Sequence, residues 1–142
     1  MQATQPVDPY RLPPPTSVFV MSRILVVDDN ADICLAMMRL LRSLGYEVES
    51  AYDGEAALAA VRARRPDLVI LDVMMPKLDG FDVLSRIKSD AARADVPVVM
   101  FSARQDPEAK QAAIQRGAAD FWLKGAFDFN ELGSRTAALM AQ

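Results

Sequence analysis

From Arg23 onward, short apolar runs alternate with amphipathic segments about five times. The runs are Ile24 to Val27, Tyr46 to Ala51, Leu68 to Leu71, Val96 to Phe101 and Ala119 to Leu123. Most are Val, Ile, Leu and aromatics without strict alternation, the pattern of strands covered on both faces. Tyr46 to Ala51 differs, setting Tyr46, Val48 and Ser50 against Glu47 and Glu49, and reads as an edge strand. Between the runs, Ile33, Met37, Leu40, Leu41 and Leu44 recur at helical spacing, and Gly45 stands where a left-handed cap ends a helix. Asp53 to Arg65 forms an alanine-rich second helix stopped by Pro66, and Gly80 to Lys88 a third with Phe81, Leu84 and Ile87 on one stripe. Asp106-Pro107-Glu108 starts a fourth, with an N-cap, a proline at the first position and an acid at the positive end of the dipole. Asp128 and Glu131 resemble a capping box ahead of a fifth, which Gly133 weakens by roughly 1 kcal/mol relative to alanine. Strands alternating with helices predict an α/β fold with a parallel sheet.

Composition narrows the function. Five of the nine prolines lie in the first fifteen residues, so residues 1 to 21 read as a proline-rich tail or a start placed too early, with Met21 the alternative, and residues 22 to 142 as one domain. A net charge of -3 offers no basic field for a phosphate backbone, which argues against nucleic-acid binding by this chain alone. One cysteine cannot form an internal disulfide, and no apolar run approaches the roughly 20 residues of a membrane span. A cytoplasmic protein is expected. The absence of histidine removes Ser-His-Asp and Cys-His catalysis and any histidine-ligated metal, so a phosphohistidine, if one matters, must come from a partner.

In an open parallel sheet, ligands bind beyond the carboxyl ends of the strands. The first run ends in Asp28-Asp29, the third in Asp72, the fourth in Ser102-Ala103 and the fifth in Lys124. Each position alone has a plain reading: a helix N-cap for Asp28-Asp29, a turn for Asp72, a loop hydroxyl for Ser102, a solvated charge for Lys124. Their joint placement after four strands is what points to chemistry. Three gathered carboxylates repel, each pair by about 4 kcal/mol at 4 Å and an effective dielectric near 20. Lys124 supplies one compensating charge, and Mg²⁺, which takes carboxylate oxygens and water, is the natural second. Such a set can hold the equatorial oxygens of a phosphoryl group in flight to a carboxylate. Asp72, alone after the expected central strand, is the better nucleophile, and Asp28-Asp29 the metal clamp. Cys34 reads as a packed thiol, and Met37, Met38, Met74, Met75 and Met100 as core gap-fillers.

Ile24 to Asn30 (ILVVDDN), Leu71 to Gly80 (LDVMMPKLDG), Phe101 to Ala103 (FSA) and Phe121 to Lys124 (FWLK) together resemble the receiver domain of two-component response regulators. The resemblance runs from Arg23 to about Met140. It implies a flavodoxin-like, doubly wound (βα)5 fold with a five-stranded parallel sheet in the order 2-1-3-4-5. It also implies that Asp72 accepts phosphate from a sensor histidine kinase or His-phosphotransfer protein, with Mg²⁺ held by Asp28, Asp29, Asp72 and the backbone carbonyl of Met74. Ser102 and Lys124 would bind the phosphoryl oxygens, Ala103 would leave them room, and Phe121 would be the aromatic switch. A downstream protein target would read the face formed by helix four, strand five and helix five. The chemistry implied is signalling, with self-phosphorylation and self-dephosphorylation as the only enzymology, in a monomer or weak dimer.

Two departures stand out. Gly125 follows Lys124 where the family usually has proline, often after a cis peptide. Because a non-proline cis bond costs roughly 2.5–4 kcal/mol, either a trans bond or an altered loop follows. Phe121 lacks the hydroxyl of the tyrosine that many relatives carry. Because the chain ends at Gln142, just after the fifth helix, a stand-alone receiver without an output domain is expected. The competing readings are a phosphorylation-independent module that keeps the fold, opened by Gly125, and an aspartate-nucleophile phosphatase. The latter usually needs a second acid where this chain has Met74.

Overall fold

The structure is a computed structural model that describes residues 21–141. Five strands, β1 (Arg23–Val27), β2 (Glu47–Ala51), β3 (Leu68–Leu71), β4 (Val98–Ser102) and β5 (Asp120–Leu123), form one sheet in the order β2-β1-β3-β4-β5, every pair parallel. Helices α1 (Ala31–Ser43), α2 (Gly54–Ala63), α3 (Gly80–Ser89), α4 (Pro107–Gln115) and α5 (Leu132–Met140) alternate with them. The alternation and the strand order expected from sequence are both present, with β2 on an edge.

The sheet is buried on both sides because successive side chains point to opposite faces. Leu25, Val27, Val69, Leu71, Val98 and Met100 meet Leu58 and Val61 of α2, Val83, Leu84 and Ile87 of α3 and Ala109 and Ala113 of α4. Ile24, Val26, Leu68, Ile70, Val99 and Phe101 meet Cys34, Met37 and Leu41 of α1 and Leu132 and Leu139 of α5. The register that this packing fixes is what aligns the site. Val27 stands beside Leu71 and Leu71 beside Met100, so the residues that follow β1 and β3 emerge side by side.

Element boundaries moved where backbone chemistry outweighs the apolar pattern. β4 begins at Val98, not Val96; Pro97 has no N–H for the ladder, although its carbonyl accepts from the Val69 N–H at 3.0 Å. α2 stops at Ala63, before the proline, and the Arg93 guanidinium donates to the carbonyls of Val61 (3.2 Å) and Arg62 (3.1 Å) at its end. Gly45 has φ +96°, the left-handed conformation expected after α1. The Asp128–Glu131 pair does not form a capping box: Asp128 caps a 3-10 turn over Phe129–Glu131, while Glu131 turns to Arg135 at 3.1 Å. α5 starts only after that turn.

Among the described residues there is no cis peptide, so the Lys124–Gly125 bond is trans. No helix among them is long and apolar enough to cross a membrane. The expected tail lies, through residue 20, outside the described residues.

Candidate functional site

Asp28 leaves β1 buried, Asp72 leaves β3 buried, and Asp29 faces solvent. One carboxylate oxygen from each lies within 4.8 Å of the others. The plain reading of Asp28-Asp29 as a helix cap fails, because Asn30 caps α1, its side chain accepting from the N–H groups of Asp32 (3.0 Å) and Ile33 (3.2 Å). That leaves both acids free for the sheet edge, with Asp28 Oδ1 accepting from the Asn30 N–H at 2.9 Å.

Lys124, at the end of β5, crosses the edge to stand 2.7 Å from Asp28 Oδ2 and 3.4 Å from Asp72 Oδ2. Burial pulls its ammonium pKa down, but bonding and charge from Asp28 and Asp72 outweigh that and hold it protonated. One cation does not balance three carboxylates. Burial first, and then the charge of Asp28, push Asp72 up to about 6, against the charge of Lys124 and a long hydrogen bond from the Met74 N–H at 3.4 Å. Asp28 Oδ2, although neutralised by Lys124, accepts no well-aligned hydrogen bond. A buried carboxylate oxygen without a directed donor, in a set of hard oxygen ligands two charges short of balance, fits a small divalent cation such as Mg²⁺.

The remaining expected residues surround this centre. Ser102 is buried at the end of β4, its Oγ accepting from the Arg104 N–H at 3.0 Å, and Ala103 beside it is exposed. Phe121 is buried in the core on the α4 side of the sheet, with no hydroxyl to satisfy. Met74 corrects the gap-filler reading, since it is 63% exposed, whereas Met37 and Met100 are fully buried. It lines a cleft of about 560 Å³ with Asp29, Val73, Met75, Asp79, Phe81 and Arg104. Cys34 is a packed thiol: burial pushes it up to about 11, and its Sγ donates to the Asp28 carbonyl at 3.3 Å.

Comparison with known proteins shows the family and the fold. The model of the response regulator receiver domain matches residues 24–137. The chain belongs to the response-regulator receiver family. It is 41% identical over 118 residues to the transcriptional regulatory protein PrrA of Mycobacterium tuberculosis, covering 83% of this chain and 49% of PrrA. This receiver chain therefore spans about half the length of the curated relatives it matches. A putative response regulator from Chloroflexus aurantiacus superposes with TM-score 0.82 at 32% identity, covering 87% of this chain and all of that one. The Vibrio cholerae chemotaxis protein CheY4 does so with TM-score 0.79 at 32% identity, covering 84% and 99%.

Sequence reasoning missed two features of this receiver. Phe101 carries Lys124 Nζ 5.8 Å above its ring and meets Trp122, Phe127 and Phe129 edge-on, so an aromatic group backs the lysine. The apolar character of Phe101 signalled burial, and nothing local pointed to the lysine. The second is the pair Gly54 and Gly80, the one inside the expected second helix and the other at the expected start of the third, which prove to be places with no room for a side chain.

Proposed function

We propose that this receiver is a phosphoryl-accepting switch, with Asp72 as the acceptor. The carrying observation is the charge imbalance at the sheet edge: three convergent carboxylates, one lysine, and Asp72 pushed up to about 6. Asp28, Asp29, Asp72 and the Met74 carbonyl would hold Mg²⁺. Bound there, Mg²⁺ supplies positive charge to the phosphoryl oxygens as transfer proceeds.

Near pH 7 the Asp72 carboxylate is largely ionised and can attack phosphorus in line as the P–N bond to a donor phosphohistidine breaks. That imidazole must come from a sensor histidine kinase or a His-phosphotransfer protein, since this chain contains no histidine. Lys124 is already beside Asp72 and pairs with the new phosphoryl charge. Ser102 would give up the Arg104 N–H to donate its own proton to a phosphoryl oxygen. Ala103 leaves space beside it. That exchange couples the charge on Asp72 to the end of β4 and to Phe121 behind it, a bistable element biased by a local charge. A downstream protein target would read the face of α4, β5 and α5.

Two observations weigh against the competing readings. Lys124 stands beside both buried acids despite Gly125, which weighs against a phosphorylation-independent module. The residue two after Asp72 is the exposed, apolar Met74, which offers no second acid to a phosphatase. Its thioether instead crowds the approach of the water that would hydrolyse the aspartyl phosphate. Met74→Asn is expected to shorten the phosphorylated half-life several-fold, and an unchanged half-life removes Met74 from the account. The function itself is tested by intact-protein mass after incubation with acetyl phosphate. A phosphoryl-sized gain that needs both Mg²⁺ and Asp72, and is lost in Asp72→Asn, is expected; no gain in folded protein overturns the reading.

A further inference from the structure

Two aspartate–glycine pairs begin helices on the same side of the sheet. Asp53 caps α2 and Asp79 caps α3, each side chain accepting an N–H three residues on, and Gly54 and Gly80 are the first helical residues. That position accepts most side chains, so glycine at both needs another cause. The cause is contact. A Cβ on Gly80 would run into the carbonyl of Asp72 and the Cα of Val73, and the Gly80 N–H donates to the Val73 carbonyl at 2.8 Å. A Cβ on Gly54 would stand 2.7 Å from the Leu78 carbonyl oxygen, 2.8 Å from Leu78 Cβ and 2.9 Å from Val83 Cγ2. Glycine at both positions therefore lets the segment between β3 and α3 be gripped at its start by α3 and near its end by α2.

That segment is bent in a way that needs gripping. The Leu78 N–H donates to the Pro76 carbonyl at 2.8 Å, and Lys77 between them has φ +67°, the only non-glycine residue with positive φ among the described residues. A three-residue turn of this hand is strained and persists only where its surroundings hold it. We infer that Gly54 is a positioning residue for the metal site. By letting the first turn of α2 close on Leu78, it braces the strained turn at Lys77, three residues after Met74, whose carbonyl is the backbone ligand of that metal reading. Gly54 supplies no ligand and lies on a different element from every acid of the cluster. The inference rests on the Mg²⁺ reading proposed above.

The test is Mg²⁺ binding to the full chain by calorimetry, for wild type, Gly54→Ala and Val61→Ala. Val61 is buried seven residues further along α2, so its truncation lowers stability without touching Leu78. Gly54→Ala is expected to bind Mg²⁺ about ten-fold or more weakly, the cost of disturbing a residue that supports a ligand. Val61→Ala is expected to melt lower and bind as wild type does. Wild-type affinity in Gly54→Ala, or an equal loss in both variants, overturns the inference. If Gly54→Ala does not fold, Leu78→Gly removes the Leu78 Cβ and side chain from the contact and frees the backbone beside Lys77: weaker Mg²⁺ binding then supports the brace, and wild-type binding overturns it. Absence of Mg²⁺ binding in wild type overturns the metal reading and this inference with it. Wild-type binding with unaltered variants overturns the inference alone.

Discussion

At the amino end of the sheet Arg65 meets Asp95 at 2.6 Å, Arg93 meets Asp90 at 2.8 Å and Arg64 meets Glu47 at 2.9 Å, whereas at the carboxyl end Asp28, Asp29 and Asp72 share Lys124. The titration of the acids follows. Hydrogen bonds from the Ala92 N–H and then Arg93 hold Asp90 below the usual carboxylate range, and a hydrogen bond from Arg65 does the same for Asp95. Asp72 moves the other way, up to about 6, because burial and Asp28 disfavour its charge. Arginines at the amino end also close the backbone: Arg23 donates to the carbonyls of Arg64 and Arg65, and Arg93 to those of Val61 and Arg62. At one end each of these acids has its own arginine, while at the other three carboxylates share one lysine. Strain gathers at the carboxyl end too, at Lys77.

The sharpest way to break this contrast is to remove the one lysine at the carboxyl end. Lys124→Met should lower the stability of metal-free protein near pH 7 by about 3 kcal/mol, because it strands two buried carboxylates. Mg²⁺ should restore part of that in a denaturant titration. At the amino end, Arg93→Ala should cost about 1 kcal/mol through the carbonyls it leaves without a partner, with no response to Mg²⁺. Arg65→Ala should leave the melting temperature unchanged within error, since both partners of its ion pair face solvent. A larger loss at Arg65 than at Lys124 would reverse the contrast.

Much of this was legible in the residues. The apolar runs gave the strands within two residues, because burial on both faces leaves little choice of residue type. The order Asp28-Asp29, Asp72, Ser102, Lys124 at the run ends located the acid edge, since a parallel sheet puts all those ends on one side. The boundary of β4 was misplaced because Val96 and Pro97 are apolar, yet only N–H groups make a ladder. The helix that begins α5 was set three residues late by a 3-10 turn that shares its capping residue with the expected box. That Asn30 and not the Asp28-Asp29 pair caps α1 is local, but three adjacent residues able to cap hid which one does. Long-range contacts were invisible: that Arg93 reaches the end of α2 and that Gly54 approaches Leu78 are facts of packing between distant segments. Met74 looked like core by composition and is 63% exposed because its neighbours, not its own polarity, place it.

The carboxyl end is left electrostatically incomplete at Asp72. In the folded protein Asp72 titrates near 6, above its unfolded value of 3.8, so the native state holds that proton more tightly. Its contribution to stability is therefore full below about pH 4 and is lost as pH rises through 6. The direct measurement is the unfolding free energy of wild type and Asp72→Asn from pH 4 to 7, with and without Mg²⁺. Without metal, Asp72→Asn should gain on wild type as pH rises, by at most about 3 kcal/mol, and Mg²⁺ at pH 7 should close the gap by stabilising wild type. A difference that does not change with pH, or a wild type that loses stability relative to Asp72→Asn when Mg²⁺ is added, would contradict the account.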